Sequence, residues 1–107
     1  MNQHSAIAVA DYIIAKAGES KNTLTPMQVI KMVYLSHGWM LALYDRPLIK
    51  EPVEAWKYGP VLRDLYNAVK KFRSDPVIGP LSKEKESFDD DEKNIMDQVV
   101  EIYGNFS

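Results

Sequence analysis

Residue types that perform catalysis are sparse in this chain of 107 residues. The sequence contains no cysteine, so no thiolate nucleophile, disulfide or thiolate-bound metal ion is available. Ser36 and His37 are adjacent, but neighbouring side chains on a helix point about 100° apart, so they cannot act together as nucleophile and base. The other histidine, His4, lies close to the amino terminus. We therefore expect no enzyme activity.

The sequence also contains few candidate sites for metal ions or phosphate groups. The acidic run from Asp89 to Glu92 lacks the spacing of a calcium-binding loop. It is better explained as the first turn of a helix, where carboxylates interact favourably with the helix dipole. Gly59 lies two positions after Lys57 and before a predicted helix, where free backbone N–H groups can bind a phosphate. Every helix start offers such groups, so they do not indicate a specific phosphate site. We predict no metal and no cofactor.

Residues suited to binding are concentrated between Thr25 and Tyr66. This stretch holds both tryptophans, four of the six tyrosines and His37. Aromatic side chains with a polar group are enriched in interfaces, but they are also ordinary core residues. His37 is therefore either a partly buried, hydrogen-bonded histidine or a polar member of an aromatic pocket with Tyr34, Trp56 and Tyr58. The pattern leaves both alternatives open.

Charge is unevenly distributed along the chain. Residues 1–74 carry ten Lys and Arg against six Asp and Glu, whereas residues 75–107 carry three against nine. This asymmetry predicts either an acidic C-terminal part that folds over a basic body or a charged partner. The basic side of a predicted helix, with Arg63, Lys70, Lys71 and Arg73, keeps a nucleic-acid-binding regulator as an alternative. The sequence pI of 5.6 is low for such a protein.

Hydrophobic periodicity predicts four helices. They span residues 5–17, 26–44 and 61–73, and a last segment that starts at Ser87 or Asp89 and ends before Gly104. Thr25, Pro26 and Gln28 form a typical helix start for the second. Gly59 and Pro60 are predicted to open the third. Residues 82–87 are polar and are predicted to be a solvated loop.

The second helix is expected to be the centre of the fold. Twelve of the sixteen residues from Val29 to Tyr44 are apolar, which predicts that this helix is buried on all sides. Gly38 is expected to let a neighbouring helix approach closely. A short extended hairpin is predicted near residues 48–58. The expected fold class is all-α or mostly α, with three helices around the central one.

Length and composition predict one soluble domain, residues 1–107. The hydrophobic fraction of 46% and the charged fraction of 26% are ordinary for globular proteins. The first residues have no basic region and Asp11 interrupts their apolar part, so no signal peptide is expected. The longest apolar run is shorter than the roughly twenty residues that a membrane span needs. We expect a cytoplasmic protein without membrane contact.

The sequence resembles the Panacea domain family over about residues 6–78. The motifs that carry this resemblance are Thr25-Pro26, Lys31 with Tyr34, His37-Gly38-Trp39, Arg46-Pro47-Leu48, Glu54-Ala55-Trp56 and Tyr58-Gly59-Pro60-Val61. The resemblance implies a small, mainly helical bacterial or phage protein that acts as an antitoxin by binding a toxin. One type in the family resembles a proteolytic adaptor that delivers its toxin to a protease.

Together with such a binding role, the clustered aromatic residues predict where the partner binds. The expected partner-binding residues are Tyr34, His37, Trp56, Lys57, Tyr58 and Arg63. The expected structural residues of the motif are Thr25, Pro26, Gly38, Trp39, Gly59 and Pro60. Compared with the family pattern, the chain lacks the usual C-terminal extension, and apolar surface left open there is expected to favour a homodimer.

Overall fold

The computed structural model describes residues 3–57, 59–83 and 85–104. Within them the chain forms four α-helices, one 3-10 helix and one β-hairpin, which confirms the predicted, mostly α fold. The helices are α1 (Ala6–Glu19), α2 (Pro26–Tyr44), α3 (Arg63–Val69) and α4 (Asp90–Tyr103), with the 3-10 helix at Lys70–Phe72. The strands are β1 (Glu54–Trp56) and β2 (Gly59–Val61).

The helix starts follow the local sequence. The Thr25 side chain accepts a hydrogen bond from the Gln28 N–H, and the Gln28 side chain accepts one from the Thr25 N–H. Asp89 and Glu92 form the same reciprocal cap on α4. Of the two predicted starts for the last helix, the one at Asp89 is therefore correct. Each cap satisfies N–H groups that have no partner within the helix.

Replacing Thr25 with alanine is expected to lower the free energy of unfolding by about 1 kcal/mol, because the first turn of α2 loses its side-chain acceptor. Urea unfolding followed by circular dichroism measures this change. Thr23→Ala is the matched control, because Thr23 is exposed and precedes the helix. Equal effects of the two substitutions would contradict a capping role.

The prediction that α2 is buried on all sides is wrong. Helices α1, α2 and α4 pack pairwise against one another, and α3 packs against α1 and α2. These neighbours cover only one side of α2, which carries Val29, Val33 and Met40. The opposite side, which carries Lys31, Tyr34 and Leu41, is solvent-exposed among the described residues.

The expectation for Gly38 is also wrong. A Cβ atom built at Gly38 would meet no heavy atom within 4 Å, apart from the helix's own backbone and chain neighbours. Gly38 is solvent-exposed, so no neighbouring helix approaches it. The glycine leaves open space on the outer side of α2.

The hairpin lies later in the chain than predicted. Strands β1 and β2 pair antiparallel, with Ala55 opposite Pro60 and Trp56 opposite Gly59. Gly59 and Pro60 therefore do not open a helix, and α3 starts only at Arg63. A two-stranded ribbon consists of edges only, and edge strands tolerate proline. In place of the earlier predicted strand, Ile49 forms a single parallel bridge with His4.

The core is formed by apolar side chains of all four helices, joined by Leu24, Leu48 and Val77 from the connecting segments. Among the described residues, none of the helices has both the length and the apolar content needed to cross a lipid bilayer.

Candidate partner-binding surface

The outer side of α2 presents a row of large side chains to solvent. Met27, Lys31, Tyr34, Gly38 and Leu41 follow the spacing that places residues on one side of a helix. Trp39 is exposed on the adjoining side, about 100° around the helix from Gly38. We call these six residues the open face of α2. The exposed fractions are 65% for Met27, 38% for Tyr34, 46% for Trp39 and 44% for Leu41.

The open face of α2 has the composition of a docking surface. Exposed apolar residues that lie singly are common on proteins, whereas neighbouring ones mark interaction sites. Tyrosine, tryptophan and methionine are enriched in interfaces relative to other surfaces. Gly38 lies between Tyr34 and Leu41 and has no side chain, so a partner can approach the helix backbone there. Lys31 is exposed and is the one cation of this face.

His37 lies half-buried on α2 and points towards the segment that follows the helix. Its Nδ1 atom accepts hydrogen bonds from the backbone N–H groups of Leu48 (3.2 Å) and Ile49 (3.3 Å). His37 is therefore partly buried and hydrogen-bonded, while its place in a pocket with Trp56 and Tyr58 stays a prediction. Ser36 is fully buried on another side of the helix, so the two side chains do not pair.

Burial lowers the pKa of His37 from its ordinary value of 6.5, because the charged ring is poorly solvated. Protonation of Nδ1 would also remove the acceptor for both backbone N–H groups. As the pH falls, the unfolded chain therefore binds a proton before the folded one does. The contribution of His37 to stability is complete above about pH 6.5 and is lost as the pH falls through the folded pKa.

We expect the free energy of unfolding to decrease between about pH 7 and about pH 5, and His37→Gln to reduce this decrease. Urea unfolding of both proteins at the two pH values measures it. The comparison isolates His37, since all other titrating groups are shared. Equal decreases in both proteins would show that the pKa of His37 does not differ between the folded and the unfolded chain.

The other predicted partner-binding residues lie on or after the hairpin, which contacts α2 through β2. Lys57 is exposed at the turn after β1. Arg63, at the start of α3, donates two hydrogen bonds to the Glu54 carboxylate, at 2.9 and 2.8 Å. This hydrogen bonding raises the pKa of Arg63. Tyr58 and the side chain of Trp56 lie outside the described residues.

The nucleic-acid alternative loses one of its four cations through this pairing. The charge of Arg63 is matched by Glu54, and Lys70 lies with its Nζ atom 6.0 Å from the centre of the Tyr66 ring.

Within the described residues there is no group of three His, Asp or Glu side chains placed to hold a metal ion.

A buried ionic cluster joins the two ends of the chain, and sequence reasoning missed it. The His4 ring is 5% exposed and Glu92 is 1% exposed. His4 Nδ1 lies 2.7 Å from a Glu86 oxygen, and Nε2 lies 3.0 Å from both Glu92 oxygens. Arg46 completes the cluster, 3.5 Å from Glu92 and 2.8 Å from Asp89.

The cluster accounts for part of the uneven charge of the sequence. The acidic first turn of α4 is matched by Arg46 and His4 of the preceding part, as the intramolecular interpretation predicts. Burial disfavours the charged form of Glu86, but hydrogen bonds from His4 and Ser5 outweigh it and lower the pKa of this carboxyl. Ser82 and Glu86 are therefore held against the protein, while Lys83, Lys85 and Ser87 are exposed, as a solvated loop predicts.

Comparison with known proteins identifies the family. Residues 29–107 match the family described as Antitoxin SocA-like, Panacea domain. Over 56 residues the chain is 38% identical to the protein named Antitoxin SocA of Caulobacter vibrioides (strain NA1000 / CB15N). This alignment covers 52% of the chain and 30% of that relative. No solved structure matches the chain significantly. Because the family match covers well over half of the sequence, the chain belongs to the Antitoxin SocA-like, Panacea domain family.

Proposed function

We propose that this protein is an antitoxin that neutralises a toxin protein by direct contact through the open face of α2. The observation that supports this most strongly is the exposure of Tyr34, Trp39 and Leu41 together on one helix. Burying exposed apolar area is the main driving force of protein association. Family membership adds that a relative is named as an antitoxin.

The hairpin is proposed as the rim of this surface. It follows α2 in the fold, and its Lys57 is exposed. Trp56, Tyr58 and Arg63 belong to the same proposal, as residues that surround a central apolar patch. Charged residues at such a rim mainly affect the association rate and its salt dependence, while the apolar centre provides most of the affinity.

His37 is proposed to act indirectly. It fixes Leu48 and Ile49 against α2 and so holds the connection that leads to the hairpin. Substitution of His37 is then expected to weaken partner binding only if the segment around Leu48 and Ile49 changes position.

We propose that the protein acts by binding, without catalysis. We also propose that it is a single domain and acts in the cytoplasm. The described histidines are both engaged in structural contacts, His4 with two carboxylates and His37 with two backbone N–H groups. Neither is paired with a hydroxyl nucleophile, which general base catalysis at a serine or threonine would need.

The test uses the protein encoded by the neighbouring reading frame as the candidate toxin. Co-expression should relieve its toxicity, and the two proteins should copurify. Light scattering gives the stoichiometry and so distinguishes a complex with the toxin from self-association. A homodimer through Ile102, which is exposed at the end of α4, would form without the second protein. A toxic neighbour that is neither bound nor neutralised would overturn the proposal.

A further inference from the structure

A groove lies beside α1, apart from the open face of α2. None of its lining residues belongs to α2. It has a volume of about 860 Å³ and runs between α1 and the segment 79–88. We call the described part of this segment, residues 79–83 and 85–88, the strap. Ligand-binding clefts commonly have volumes of about 300 to 1,000 Å³, so the groove can hold a short segment of another molecule.

The strap is fixed at two places, which keeps the groove open. Near its start, the Asp11 carboxylate on α1 accepts hydrogen bonds from the backbone N–H groups of Leu81 (2.7 Å) and Ser82 (2.8 Å). Near its end, Glu86 accepts hydrogen bonds from His4 and from the Ser5 hydroxyl. Because both ends are held by side chains of the body, the groove is formed before any ligand arrives.

The floor of the groove is apolar. Ala8, Tyr12 and Ala15 of α1 line one side, and Phe88 of the strap lines the other. The Tyr12 and Phe88 rings meet edge to face with their centres 5.5 Å apart. The Tyr12 hydroxyl donates a hydrogen bond to Asp97, at 2.7 Å, so the polar end of this ring is already satisfied. The floor therefore suits an apolar side chain.

The charges of the lining are not balanced. Its acidic side chains are engaged within the protein: Asp11 with two N–H groups, Glu19 with Lys16, and Glu86 with His4 and Ser5. Three lysines of the lining, Lys83, Lys85 and Lys93, have no ion-pair partner in the part of the chain that the structure describes. The groove therefore offers three lysines without an ion-pair partner among the described residues to a ligand.

We infer that this groove binds a short, extended, acidic peptide segment of a protein partner, with an apolar side chain on the Tyr12–Phe88 floor and carboxylates beside Lys83, Lys85 and Lys93. A peptide fits because the strap has no regular secondary structure and its backbone at Lys85 and Ser87 is not hydrogen-bonded to the described residues. Extended peptides bind by hydrogen bonds to such main-chain groups, while neighbouring pockets select side chains.

The probe is a short fluorescein-labelled peptide that alternates aspartate and leucine, and fluorescence anisotropy measures its binding to the full chain. The comparison peptide has lysine in place of aspartate. We expect only the acidic peptide to bind, and its affinity to fall as salt is added. The combined variant Lys83→Glu, Lys85→Glu and Lys93→Glu should weaken binding by about tenfold or more.

Two further variants make the test specific. Lys21→Glu, Lys50→Glu and Lys71→Glu together give the same net charge but change exposed lysines outside the groove, so binding should be retained. Ala15→Phe fills the groove without changing charge, and it should also reduce binding. Circular dichroism confirms that each variant is folded.

Equal weakening by both lysine triples would overturn the inference, because it would indicate attraction to net charge alone. Binding of decanoate but not of the acidic peptide would overturn it too, and would assign the groove to a small amphipathic anion. Toxin binding by the groove variants should be unchanged, which separates this inference from the proposed function of the open face of α2.

Discussion

Substituting Tyr34 or Trp39 with alanine is expected to weaken toxin binding by about 30-fold or more each, which corresponds to about 2 kcal/mol. Both side chains are exposed in the free protein, at 38% and 46%, so neither contributes a fully enclosed contact to the fold. Aromatic residues at the centre of an interface lose solvent on binding and typically dominate the affinity. The free energy of unfolding should change by only about 0.5 kcal/mol.

Calorimetric titration of the toxin with each variant measures the affinity, and urea unfolding measures the stability. Ile78→Ala is the matched control. Ile78 is a large apolar residue that is 74% exposed, but it lies outside α2 and outside the hairpin. Unchanged toxin affinity in both α2 variants would remove the open face of α2 from the interface.

Substituting Glu92 with alanine is expected to lower the free energy of unfolding by about 3 to 5 kcal/mol. Glu92 is almost completely buried and receives His4 on one side and Arg46 on the other. Its removal takes one of two carboxylates from the buried His4 ring and one carboxylate from Arg46, and breaking such a buried interaction is costly. One of the two hydrogen bonds of the cap is lost at the same time, because the Asp89 N–H loses its acceptor.

Urea unfolding measures this loss, and two further variants test its cause. Glu101→Ala changes an exposed glutamate on the same helix, so it should alter stability by only about 0.5 kcal/mol. Glu92→Gln keeps the shape and the cap acceptor but removes the charge, so its effect should be intermediate. A loss below about 1 kcal/mol for Glu92→Ala would mean that the ionic cluster adds little to stability.

The starts of α2 and α4 could be predicted because they depend on neighbouring residues. Thr25 with Gln28, and Asp89 with Glu92, lie three positions apart, and their hydrogen bonds form within one turn. The same holds for the fold class, since apolar periodicity decides which segments are helices.

The exposed side of α2 could not be predicted, because it depends on how many elements pack around the helix. Apolar composition alone suggested complete burial. The structure instead places α1, α3 and α4 on one side, so Tyr34, Trp39 and Leu41 remain exposed. The mismatch between an apolar sequence and an exposed position is what points to a partner.

The His4 cluster has no local signal either. His4 is separated from Glu86 and Glu92 by more than 80 positions, and only the packing of α1 beside α4 brings them together. Similarly, Gly59 and Pro60 resemble a helix start locally, but pairing with β1 places them in a strand. Both cases are decided by contacts between distant parts of the chain.

The central claim is that the toxin binds on the open face of α2, and the most direct measurement is a nuclear magnetic resonance titration of the labelled protein with the toxin. We predict that the Trp39 indole N–H and the backbone amides of Lys31, Tyr34, Gly38 and Leu41 shift or broaden first. Amides around Glu101, on the exposed side of α4, should stay in place. Perturbation confined to α4 or to the strap, with α2 unchanged, would contradict the account.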